Sequence, residues 1–206
     1  YGRARADPVI RLFVAIVPPR EMRARLSSLC GGVPGARWVE PDNLHLTLRF
    51  IGGVEEPLVE DIVFALRAIR MEPFAVTLSS VGHFESRKRV RQIWAGIMGS
   101  TQLMDLQGRV DAAMIRAGIK PEGRKFTPHV TLARLKDVKS DAVGAWLQAN
   151  GPFRGFPFTV TGFTLFASYL GSASPVYQPV EEFALVDPVR SSSQDGTGKS
   201  LLRRNS

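Results

Sequence analysis

Two segments of this sequence set an imidazole and a hydroxyl two residues apart: His45-Leu46-Thr47-Leu48 and His129-Val130-Thr131-Leu132. In an extended chain alternate side chains share a face, about 7 Å apart, so His45 sides with Thr47 and His129 with Thr131, and the aliphatic residues turn the other way. The copies lie 84 residues apart, too far for one local motif, and a plain half-buried strand has little reason to repeat the pattern. Two rings that exchange protons near neutral pH and two hydroxyls that hydrogen-bond an anion suit phosphodiester hydrolysis, in which a base activates water and an acid protonates the leaving oxygen. The motifs alone leave the two histidines symmetric. Two separate histidines with no third His and no nearby Cys or carboxylate are too few for a zinc site. The remaining histidine, His83, has no Thr partner and reads as surface or substrate rim.

Each motif needs a strand to carry it and neighbours to hold that strand. Leu44 to Ile51 and His129 to Leu135 alternate as strands. Further strands are expected over Ile10 to Val17, Arg37 to Val39, Phe74 to Val81, Gln92 to Ile97, Phe158 to Ser168 and Val176 to Val186. Helical spacing of apolar residues marks Arg20 to Leu29, Pro57 to Arg70, Thr101 to Ala117 and a shorter stretch from Ser140 to Asn150. Gly82 to Arg91 reads as a basic loop, Arg87-Lys88-Arg89 at its centre. Strand and helix alternate without a regular βαβ order. The expected class is therefore α+β: two similar lobes of mostly antiparallel sheet with flanking helices, pseudo-twofold related around a central cleft.

The chain has 206 residues, 44% hydrophobic and 22% charged, the composition of a globular protein able to bury a core. No apolar run approaches the ~20 residues of a membrane span, and no stretch reads as a signal peptide. Residues 1–9 read as a disordered or artificial end, 10–188 as one two-lobed domain, and 189–206 as a disordered basic tail. A single cysteine, Cys30, rules out an internal disulfide, so a cytoplasmic monomer is the simplest expectation. The formal charge is +8, half of it in the two ends. The body is only mildly basic, which is compatible with a nucleic acid partner without requiring one.

Asn43 to Gly52, Phe126 to Arg134, and the closing Phe163 to Ser168 with Val176-Tyr177 resemble the bacterial RNA 2′,3′-cyclic phosphodiesterases, also called 2′-5′ RNA ligases, of the two-histidine phosphoesterase superfamily. The resemblance runs from about Ile10 to Leu185. It implies hydrolysis of RNA 2′,3′-cyclic phosphate ends to 2′-phosphates, with reversible 2′-5′ joining as a further family activity, and neither metal nor other cofactor. It assigns His45 as proton donor, His129 as proton acceptor, and Thr47 and Thr131 as holders of the non-bridging oxygens. Arg134 matches the family's basic residue after the second motif and Phe126 the aromatic before it; Phe50 is a stacking candidate and Arg49, beside it, a substrate contact. Arg134 falls on the far face of an ideal strand, so a bend must bring it in. Arg87 to Arg91 and Arg124-Lys125 are candidates for tracking an RNA backbone. Two rival readings stand: a non-catalytic RNA-binding module, and a phosphodiesterase for small cyclic nucleotides or 2′-5′ oligonucleotides.

Overall fold

A computed structural model describes residues 9–136, 138, 140–171 and 174–186. The expectations for residues 1–8 and for the tail from 187 onward lie outside them. The chain begins with β1 (Val9–Ile16) and, where Pro18-Pro19 blocks further pairing, enters α1 (Arg20–Ser27). β2 (Ala36–Trp38) and a 3₁₀ turn (Pro41–Asn43) lead to β3 (Leu46–Glu55), α2 (Glu56–Arg67), β4 (Phe74–Ser86) and β5 (Arg89–Ile97). Then α3 (Thr101–Arg116) begins where the Ser100 side chain accepts from the Leu103 amide. It buries Leu103, Leu106, Val110, Ala113 and Met114 along one stripe, and it stops before Gly118, which turns at φ +84°. β6 (His129–Leu135), α4 (Ser140–Asn150), β7 (Arg154–Val160), β8 (Gly162–Tyr169) and β9 (Val176–Ala184) complete the order.

The strands pair antiparallel in the order β7-β4-β5-β6-β3-β1-β8-β9, with β2 alongside β6. The order reads as two four-stranded halves meeting at β6 and β3. One half holds β3, β1, β8 and β9 under α2 and α3; the other holds β6, β5, β4 and β7 under α1 and α4. Neither half is a contiguous piece of chain. The helix that follows β1 packs on the far half, where Arg25 donates to the Arg154 carbonyl at 2.6 Å. The helix that follows β5 packs on the near one, against β3. A continuous core of aliphatic side chains, including Leu46, Leu48, Val130 and Leu132, runs beneath both halves.

Three sequence expectations change. The basic loop is no loop: β4 and β5 extend through it and close in a two-residue turn at Arg87-Lys88, and His83 lies within β4. The single strand expected over Phe158 to Ser168 is two, β7 and β8, separated by Thr161 and belonging to opposite halves. The alternation slips by one residue there, from the buried pair Phe158 and Val160 to Phe163, Leu165 and Ala167, a break in period that marks the switch. Gly162 marks it, since a Cβ there would stand 2.6 Å from the Phe183 carbonyl oxygen. Lastly, β3 runs on through Gly52-Gly53 to Glu55, because β1 is long enough to pair with the extension.

Candidate active site

The two halves touch at one backbone pair, Leu46 with Val130, the central residues of the two motifs. Beyond that pair β3 and β6 part, and β2 takes up the freed edge of β6, with the Val39 amide donating to the Leu132 carbonyl at 2.8 Å. Leu46 and Val130 point into the core. His45, Thr47, His129 and Thr131 therefore share the opposite, open face, where the antiparallel register sets His45 across from Thr131 and Thr47 across from His129. Each imidazole is tied the same way: Nδ1 of His45 meets the Asn43 carbonyl at 2.7 Å, and Nδ1 of His129 meets the Thr127 carbonyl at 2.6 Å. A carbonyl can only accept, so Nδ1 carries the proton in both rings and Nε2 is left for chemistry.

A bulge sits at the same place in both strands. Val14 pairs with Arg49 but Ala15 with Thr47, leaving Leu48 as the extra residue; Ile93 pairs with Ala133 but Trp94 with Thr131, leaving Leu132 extra. Each bulge shifts the alternation by one, so the fifth residue after each histidine returns to the histidine's face. That residue is Phe50 in one motif and Arg134 in the other. Arg134 is thus brought to the cleft, and its charge is felt at His45. Phe50, 57% exposed, lies 6.3 Å from Phe13, which in turn packs against His45 at 4.9 Å.

The same bulge overturns the expectation for Arg49. Instead of flanking Thr47 on the cleft face, Arg49 is driven under the sheet, 4% exposed, where Ala133 stands in the other motif. There it pairs with Asp111 of α3 at 3.3 Å and Glu122 at 3.9 Å, and it donates to the Lys120 carbonyl. It fixes the loop that leads to β6 rather than meeting a substrate. Phe126, in that loop, packs partly buried against the core.

Aromatic neighbours surround the two rings: the family resemblance includes Tyr177 without a role, and the sequence singles out neither Phe84 nor Trp94. Tyr177 of β9 stands edge-on to His45 at 5.2 Å, and Phe84 of β4 does the same to His129 at 4.9 Å, with Trp94 at 6.2 Å. The segments of Phe84 and Trp94 carry no signal for this; strand pairing alone delivers them. This apolar setting lowers both imidazole pKa values by burial. His45 is pushed down to about 4, against the opposing bond to Asn43 and with added repulsion from Arg134 and His129, and His129 is lowered against the opposing bond to Thr127. Burial also raises the Cys30 thiol to about 11, which leaves it protonated and inert as a nucleophile. Among the described residues no three His, Cys, Asp or Glu side chains gather where a metal ion could sit, and no helix is long and apolar enough to cross a membrane.

Two halves that each offer one histidine and one threonine to a shared seam are the architecture of a two-histidine phosphoesterase. The chain belongs to the LigT-like phosphoesterase family, whose model matches it twice, over residues 16–94 and 98–177. It is 35% identical over 165 residues to the RNA 2′,3′-cyclic phosphodiesterase of Aeropyrum pernix, spanning 79% of this chain and 93% of that one. The Escherichia coli RNA 2′,3′-cyclic phosphodiesterase is 32% identical over 179 residues, 85% of this chain and 96% of its own. Among solved structures, E. coli LigT complexed with 3′-AMP superposes with a TM-score of 0.74 at 29% identity, covering 87% of this chain and all of that one. The MHV ns2 PDE domain, 13% identical with a TM-score of 0.52, shares the fold.

Proposed function

We propose that this protein opens 2′,3′-cyclic phosphodiesters at RNA ends, leaving 2′-phosphates, by acid-base catalysis between His45 and His129. The observation that carries the reading is the matched tether of the two rings, Nδ1 to a backbone carbonyl two residues upstream, on strands that meet only at Leu46 and Val130. With both Nε2 atoms presented across one seam, a phosphate between them has an imidazole on each side, as in-line attack by water requires. Neutral His129 removes the water proton, and protonated His45 gives one to the departing 3′ oxygen. Thr47 and Thr131 donate to the non-bridging oxygens as charge builds. Arg134 adds a cation on the same face, and Phe50 offers a ring for a base to stack on.

The donor role of His45 comes from the family resemblance and runs against the free site, where burial holds that ring neutral down to about pH 4. A phosphate anion reverses this, since a negative charge within a few ångströms favours the imidazolium. His45 is accordingly charged in the complex rather than before it. The protein acts as a monomer without a resident cofactor, in the cytoplasm, and the single free cysteine supports that reducing compartment. Incubation with RNA and mononucleotide 2′,3′-cyclic phosphates and with 2′-5′ oligonucleotides, products read by phosphorus NMR, tests the proposal. Conversion of the cyclic esters to 2′-monoesters is expected. Opening to the 3′-monoester would refute the assignment, binding without turnover would favour an RNA-binding module, and cleavage confined to 2′-5′ linkages would move the activity to another substrate.

A further inference from the structure

We infer that the tip of the β4–β5 hairpin is a second RNA contact, one that grips the phosphodiester backbone on the 5′ side of the terminal cyclic phosphate. The inference rests on the reading of the cleft as a site for an RNA end. Ser86 pairs with Arg89, so the turn has only Arg87 and Lys88 at its centre, with φ of +52° and +60°. Two left-handed residues in a two-residue hairpin make a type I′ turn, for which Asn-Gly is the favoured sequence. A Cβ-bearing residue in that conformation costs about 1–2 kcal/mol. Here both positions carry long cationic side chains, both exposed and, among the described residues, without an ion pair. The turn closes the hairpin and places two positive charges at the end of the arm.

The arm is continuous with the site. Phe84, edge-on to His129, belongs to the same strand, and Gln92 opposite it links across to Arg134. From Phe84 the tip lies three to four residues on, about 10–13 Å at ~3.3 Å per residue. That is the length of roughly three to four stacked nucleotides at ~3.4 Å each. A cyclic phosphate occupies the 3′ terminus, so the rest of the strand must leave the cleft in its 5′ direction. A cationic tip at this distance meets backbone phosphates there but is out of reach of a mononucleotide.

The double variant Arg87→Asn/Lys88→Gly removes both charges and relaxes the turn, so its melting temperature should rise. Its kcat/KM on a mononucleotide 2′,3′-cyclic phosphate should match wild type. Its affinity for a fluorescently labelled hexaribonucleotide with a cyclic end, read by anisotropy, should fall roughly ten-fold at 0.1 M salt. The slope of log affinity against log salt should flatten by about 1.4, at ~0.7 per phosphate contact on a single strand. Arg87→Lys, which keeps the charge, should bind as wild type does. Unchanged oligonucleotide affinity and slope in the double variant would overturn the inference, as would an equal loss on the mononucleotide. If wild type leaves the mononucleotide intact, the reading of the cleft fails, and the anisotropy comparison still decides the arm.

Discussion

An imidazole held neutral by burial ties stability to pH. His45 has a folded pKa of about 4 against an ordinary value of 6.5, so the unfolded chain binds the extra proton first as pH falls. The stabilisation is present above pH 6.5, is lost between 6.5 and 4, and amounts to roughly 3 kcal/mol at 1.36 kcal/mol per pH unit. The melting temperature of wild type should drop across that window, saturating phosphate should blunt the drop, and His45→Gln should show a smaller one. Equal pH dependence in the variant would mean that His45 is not the buried group. Arg49 allows a second test. If it holds α3 and the 120–122 loop, Arg49→Ala should release Asp111, Glu122 and the Lys120 carbonyl and cost about 1.5–3 kcal/mol in denaturant titration, the part-exposed carboxylates being left to water. A substrate contact would instead raise KM at unchanged stability. The four catalytic candidates were legible because chemistry dictated their types and their repetition. The fate of Arg49 was not, because a bulge has no residue type of its own.

At the scale of the element, two glycines shape the seat on which Trp94 lies beside His129. Gly82 of β4 pairs with Trp94, and a Cβ at Gly82 would lie 2.3 Å from the indole, while one at Gly96 would lie 3.1 Å away. Two glycines on adjacent strands thus let the ring lie flat on the sheet, beside Phe84 and within 6.2 Å of His129. Gly82→Ala must displace the indole from its seat beside the His129 ring. Turnover should fall by ten-fold or more as the ring leaves in-line geometry, with little change in oligonucleotide affinity; full activity with a shifted tryptophan emission would show that His129 does not depend on this packing. From sequence Gly82 served only to begin a loop, and the strand hidden in that loop became visible through its pairing with β5. Helices were easier to place, since Leu103, Leu106 and Val110 show their period without help from any partner.

For the whole molecule, the exchange of helices and the passage of the chain from β7 to β8 join the halves into one cooperative unit. All three tryptophans, Trp38 beside β6, Trp94 on β5 and Trp146 on α4, belong to one half. Were the halves independent, tryptophan fluorescence would follow only its own half while far-ultraviolet dichroism followed both. The two transitions in urea should instead coincide, and separated midpoints would contradict the shared core. The twofold relation was legible in the repeated motif. Which strands complete which half was not, because β8 and β9 are joined to β1 by pairing alone. This has a consequence for the growing chain. On the ribosome β1 has no second neighbour until β8 has been made, so one flank of a largely apolar strand stays unpaired while β2 to β7 are synthesised. Such an edge is a template for stray association, and the lysine-free run Leu12 to Ile16 has no charge to deter it. The nascent chain is open to such pairing until β8 arrives to cover that edge, although β3 and β6, which form the catalytic seam, are both made earlier.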